Sequence, residues 1–138
     1  MDSKLNAWSP RVLSVLRIIV GFLIIAHGAQ KLFGVLGAPG GPVPIASQFG
    51  LAGIIEFYGG ALLLLGLFTR PAAFLLSGTL AVAYFQVHAK GGFWPIMNKG
   101  ELAVLYCFVF FYFVFAGAGP WSLDSLIWRR KSAPAATG

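Results

Sequence analysis

From Val12 to Ala26 the chain is apolar except for Ser14, Arg17 and Gly21, and the helical pattern continues through His27-Gly28-Ala29-Gln30-Lys31 to Phe33. A helix of about 22 residues, rising about 1.5 Å per residue, reaches about 33 Å, enough to cross the hydrocarbon of a bilayer. Three polar side chains stand inside the far end of that pattern. Each is costly in hydrocarbon, where no water can satisfy its donors and acceptors. On a helix His27 lies three residues from Gln30 and four from Lys31, so all three share one face. That face must look at something other than lipid.

The rest of the chain agrees with a membrane setting. Hydrophobic residues make up 58% of the 138 and charged residues 10%. A soluble domain has about 25% charged residues, so this chain has too little polar surface to cover itself. The net charge of +6 does not point to nucleic acid, because the basic residues sit at the ends of apolar runs rather than in one patch. The basic start followed by an apolar run has the outline of a secretory signal. The run is too long for one and three more follow it, so we read a retained first span. Cys107 is the single cysteine, which rules out an intrachain disulfide or a dithiol pair.

Four spans are expected, at about 12–33, 49–68, 71–88 and 101–116. The fold class is an all-α four-helix transmembrane bundle with a short C-terminal interfacial helix. Ser9-Pro10 resembles a helix start for the first span. Arg17, near that end, is expected to snorkel toward its own interface. The loop 34–50 holds Gly34, Gly37, Gly40, Gly41 and three prolines, and lacks the Gly-Lys-Ser/Thr ending of a phosphate loop. Thr69 is expected to cap the third span and Pro71 to open it. Asn98 to Glu101 resembles a capping box before the fourth. Trp121 to Lys131 reads as a helix lying on an anionic membrane face, and 132–138 as a disordered tail. One domain, 1–131, holds everything else. With four crossings, one side carries Lys4, Arg11, Arg17, Arg70, Arg129, Arg130 and Lys131, and the other Lys31, Lys90 and Lys99. The positive-inside rule then places both termini in the cytoplasm and the protein in the cell membrane.

That arrangement collects the intramembrane polar groups at one end of four helices. The expected catalytic pair is Glu56 and His27, and Gln30, Lys31, Tyr84, His88 and Glu101 are expected to bind substrate. Two carboxylates, two imidazoles and an ammonium are able to relay protons, orient a quinone by its carbonyls, or hold an ion. Each has a plainer reading. Glu101 caps a helix, Lys31 snorkels, His88 edges a loop, and a Glu56–His27 or Glu56–Lys31 pair is architectural. Bis-His haem ligation, or a metal held by His27, His88, Glu56 and Glu101, lacks any local ligand spacing, so neither haem nor metal is expected.

Further motifs run along nearly the whole chain. They are Arg17 and Gly21, His27-Gly28, Gln30-Lys31-Leu32-Phe33-Gly34, Glu56 with Gly59-Gly60, Leu65-Gly66-Leu67 and Thr69-Arg70. Gly92-Phe93-Trp94-Pro95, Asn98 to Glu101, Gly119-Pro120 and Trp121-Ser122-Leu123-Asp124 follow. In this order they resemble the DoxX family of small four-span integral membrane proteins. The resemblance implies a quinone-linked redox subunit or accessory of a membrane oxidoreductase, since family members are associated with a thiosulfate:quinone oxidoreductase and with thiol or oxidative-stress systems. It implies a quinone as cofactor, and a partner redox protein or homo-oligomer within the lipid bilayer. It brings no established catalytic set onto this chain. A non-catalytic carrier or scaffold for a small molecule, lipid or partner protein is the alternative.

Overall fold

The computed structural model describes residues 2–132. It is all helical: α1 (Asp2–Phe33), α2 (Gln48–Leu65), α3 (Thr69–Ala83), a one-turn α4 (Pro95–Asn98), α5 (Glu101–Ala116) and α6 (Leu123–Ser132). A π-helical turn, Tyr84–His88, and a 3-10 turn, Ala89–Gly91, extend α3. The expected disordered tail lies outside the described residues, apart from Ser132.

Among the described residues three helices, not four, are long and apolar enough to cross a membrane: Asp2–Phe33, Gln48–Leu65 and Thr69–Gly91. The expected fourth span, Glu101–Ala116, is apolar but has only 16 residues. That is about 24 Å of helix, short of a hydrocarbon core of about 30 Å. The four-helix transmembrane bundle is therefore corrected to an all-α membrane protein with three candidate spans. The placement of both termini in the cytoplasm rested on four crossings, and three do not support it.

Local chemistry explains the helix ends. Ser47 caps α2, its hydroxyl accepting from Gly50 N at 3.0 Å. Gly66 ends α2 at φ 65°, a left-handed conformation that glycine adopts without steric cost, and Leu67 N bonds back to Leu62 O at 2.9 Å. Three expected ends differ. The first helix begins at Asp2 and takes Pro10 into its interior. Thr69 does not cap α3; the Asp124 carboxylate does, accepting from Phe68 N at 2.8 Å and Thr69 N at 2.9 Å. The capping box does not form either. Asn98 ends α4, Lys99 is left-handed at φ 60°, and Gly100 precedes α5.

Packing joins α1 chiefly to α2, and α3 chiefly to α5. The α1–α2 seam requires Gly28, where an added Cβ would lie 2.5 Å from Phe57 N. Ile24, Leu63, Ala73, Leu76, Phe110 and Phe113 form the closed centre of the bundle. Below it lies Arg17, which does not snorkel. It is fully buried, with Nε donating to Ala118 O (2.8 Å), Nη1 to Leu63 O (2.6 Å) and Leu64 O (2.7 Å), and Nη2 to Trp121 O (2.5 Å). The guanidinium thus satisfies the last carbonyls of α2 and fastens them to the segment before α6.

Candidate functional site

Beyond the closed centre, at the end opposite Arg17, the helices part around a cavity of about 300 Å³. That is the small end of the usual range for ligand pockets, about 300–1,000 Å³. Ile24, Leu80 and Tyr106 line its deep part. His27 and Lys31 come from α1, Glu56 from α2, His88 from the π-helical turn, and Lys99 from the α4–α5 junction.

Each position has a local cause. His27 and Lys31 are one helical turn apart, so both reach the α1 face that meets α2. Glu56 stands on the buried stripe of α2 with Gly53 and Gly60, and is only 2% exposed. Its Oε2 pairs with Lys31 Nζ at 2.5 Å, a charge-assisted contact in a largely dry site. His27 is half-buried, lies within electrostatic reach of both Glu56 and Lys31, and meets the Tyr106 ring edge-on at 6.1 Å.

The π-helical turn advances the end of α3 by an extra residue per turn, and such turns recur at functional sites. Here it carries Val87 and His88 to the cavity. His88 Nδ1 lies 3.2 Å from Asn98 O. A carbonyl only accepts, so Nδ1 carries the proton, and in the neutral form of the ring Nε2 is the acceptor. Asn98 organises this corner. Its amide donates to Gly92 O (2.9 Å) and Tyr84 Oη (3.2 Å), and its Oδ1 accepts from Gly100 N (2.8 Å). These bonds hold Lys99 in its left-handed backbone, which costs a non-glycine residue about 1–2 kcal/mol.

The structure thus gathers His27, Lys31, Glu56 and His88 around one cavity, and leaves Gln30, Tyr84 and Glu101 outside its lining. Gln30 donates to Leu36 O at 2.9 Å and steadies the first loop. Tyr84 stacks beside His88 and holds the 92–98 loop. Glu101 is exposed on the outer face of α5. Lys99 and Tyr106 line the cavity and were not expected there. Tyr106 is hidden in sequence by its aromatic neighbours; its only signal is a position four residues before Phe110 on the face that the bundle buries.

Among the described residues no group of three or more His, Cys, Asp or Glu side chains is placed to hold a metal ion, and Cys107 is a free thiol. The site offers instead one ion pair, two imidazoles, the Lys99 ammonium at the rim and a phenol, all over an apolar floor. Such a set binds polar oxygens at one end of an apolar ligand and moves protons between them.

A family model described as DoxX matches residues 12–89. An uncharacterized protein of Haemophilus influenzae is 44% identical, over 93% of this chain and 99% of its own length. An uncharacterized membrane protein of Mycobacterium tuberculosis is 31% identical, over 94% of this chain and 89% of its own. A Bacillus subtilis protein named "Putative oxidoreductase CatD" is 28% identical, over 85% of this chain and 87% of its own. No solved structure matches.

Proposed function

Since the chain belongs to the DoxX family of membrane proteins, we propose that it is a quinone-linked redox subunit or accessory of a membrane oxidoreductase, and that the cavity is its quinone site. The observation that carries this reading is the convergence of a buried carboxylate, two imidazoles and two ammonium groups on one apolar-floored cavity inside a membrane helix bundle. The Bacillus relative's name adds support from outside the chain.

The residues present fit such a ligand. Glu56 uses Oε2 on Lys31, and among the described residues Oε1 meets no hydrogen-bond partner although the side chain is 2% exposed. That oxygen is left to accept from a donor in the cavity that Glu56 lines. A bound quinone supplies reversible uptake of two electrons and two protons. Lys99 would orient an oxygen at the rim. Lys31 pairs with Glu56 Oε2, and Glu56 Oε1 and the His27 imidazole would hold or pass protons beside it. Ile24, Leu80 and Ala103 keep water from the deep end.

The alternative of a carrier or scaffold without chemistry has one observation in its favour: Lys31 and Glu56 already neutralise each other. Extraction separates the two. Protein purified in mild detergent should release a quinone near one equivalent by mass spectrometry, and Glu56→Gln or His27→Ala should lower that yield. Clean protein that never carries a quinone, with unchanged behaviour in both variants, would remove the redox reading in favour of the carrier.

A further inference from the structure

Tyr106 is 6% exposed, yet among the described residues its hydroxyl meets no hydrogen-bond partner. Its ring is fixed on two sides, stacked on Phe110 at 5.5 Å and edge-on to His27 at 6.1 Å. The hydroxyl oxygen itself is not sealed off: among the described residues Thr69 Oγ1 alone is a fully buried side-chain polar atom without a partner. Tyr106 lines the cavity, so its hydroxyl is presented to whatever the cavity holds.

The cavity's polar groups fall at two levels. His27 and Tyr106 lie deep, and Glu56 stands on the wall beside them. His88 and Lys99 form the rim. Along α5, Tyr106 lies five residues beyond Glu101, about 7.5 Å of helix, and Lys99 stands before that start. Leu102, Ala103, Ala83 and Val87 fill the interval with apolar surface. An apolar band between two polar ends is the complement of a flat ring with an oxygen at each end.

We infer that Tyr106 is the deep oxygen-binding residue of this cavity, and that ring ligands stand upright in it, with one oxygen on Tyr106 Oη and the opposite oxygen at Lys99 and His88. The inference rests on the quinone reading above and narrows it to rings whose oxygens are para rather than ortho. The rim serves both states of such a ring. Lys99 Nζ donates to a carbonyl, and His88 Nε2, left as an acceptor by the Nδ1 contact to Asn98, takes a hydroxyl. An ortho ring places both oxygens at one level and leaves the other level facing carbon.

Calorimetric titration of the detergent-purified protein with tetramethyl-para-benzoquinone and its ortho isomer tests this, because the two differ only in oxygen placement. The native protein should favour the para isomer by about tenfold. Tyr106→Phe, which removes the hydroxyl alone, should weaken the para isomer by about three- to tenfold, the worth of one hydrogen bond, and leave the ortho isomer unchanged. Thermal melting in the same detergent checks that the variant folds. If it does not, His88→Ala must weaken tetramethyl-para-hydroquinone, whose hydroxyl Nε2 takes, by about three- to tenfold and leave the para-quinone unchanged, and an unchanged hydroquinone affinity overturns the inference. Equal affinity for the two isomers, or an undiminished preference in a folded variant, overturns the inference and spares the quinone reading. Failure of both isomers to bind the native protein overturns the two together.

Discussion

Among the described residues Arg17 and Glu56 are the two most completely buried charges, and they are held in opposite ways. Among the described residues Arg17 has no carboxylate in hydrogen-bond contact; four carbonyl oxygens from two separate segments share its donors. That fan suits a planar guanidinium and not a point-charge ammonium. Arg17→Lys should therefore destabilise by about 3 kcal/mol, close to the effect of Arg17→Met, because most of the carbonyls lose their donor in either case. Denaturant unfolding in detergent measures it, and an unchanged midpoint for the lysine variant would contradict the fan. Glu56 instead has a single strong partner, Lys31, whose side chain is 27% exposed. Either Glu56→Gln or Lys31→Met should cost about 2 kcal/mol, and the double variant less than the sum. Independent, additive costs would mean that the pair is not coupled. Glu56 and His27 were legible in sequence because depth in an apolar run makes a polar group conspicuous. The fate of Arg17 was not. Its position suited snorkelling, and only the tertiary return of residues 118–121 shows its partners.

At the scale of elements, α3 is capped by a side chain from α6. The Asp124 carboxylate serves Phe68 N and Thr69 N across a gap of more than fifty residues of sequence. Asp124→Ala should cost about 1–2 kcal/mol, and hydrogen exchange should quicken in the first turn of α3 before the middle of the helix. Uniform exchange in the variant would show that the cap does not hold that end. Gly28→Ala puts a methyl against the Phe57 backbone and should lower the melting temperature through an overpacking cost of about 1–3 kcal/mol. An unaltered melt would mean that the α1–α2 seam is looser than its geometry. Helix existence was readable from apolar runs and glycine breaks. Capping by a distant residue was not, since local spacing offered Thr69 and Asn98 as candidates and long-range contacts decided otherwise. The fourth span was overcounted because α5 has the composition of a span without its length.

For the molecule as a whole, polarity is divided between two ends of one bundle. The Arg17 end is tied together by carbonyls and a cap, and the opposite end opens into the cavity lined by His27 and Glu56. The sequence placed polar residues near the same end of four helices. It did not say which of them turn inward. Glu101 and Gln30 are in the right region and face elsewhere, whereas Tyr106 faces inward from a run that reads as packing. Helical phase in a run as uniformly apolar as α5 leaves almost no pattern to read. We propose that the open end is where a quinone binds. Photolabelling with an azido-quinone in native membranes, followed by peptide mass spectrometry, addresses it directly. Label should fall on the α1 segment 24–31 and on residues 99–106 at the start of α5, and excess unlabelled quinone should suppress it. Label confined to lipid-facing residues, or unaffected by competitor, would contradict the assignment of this cavity.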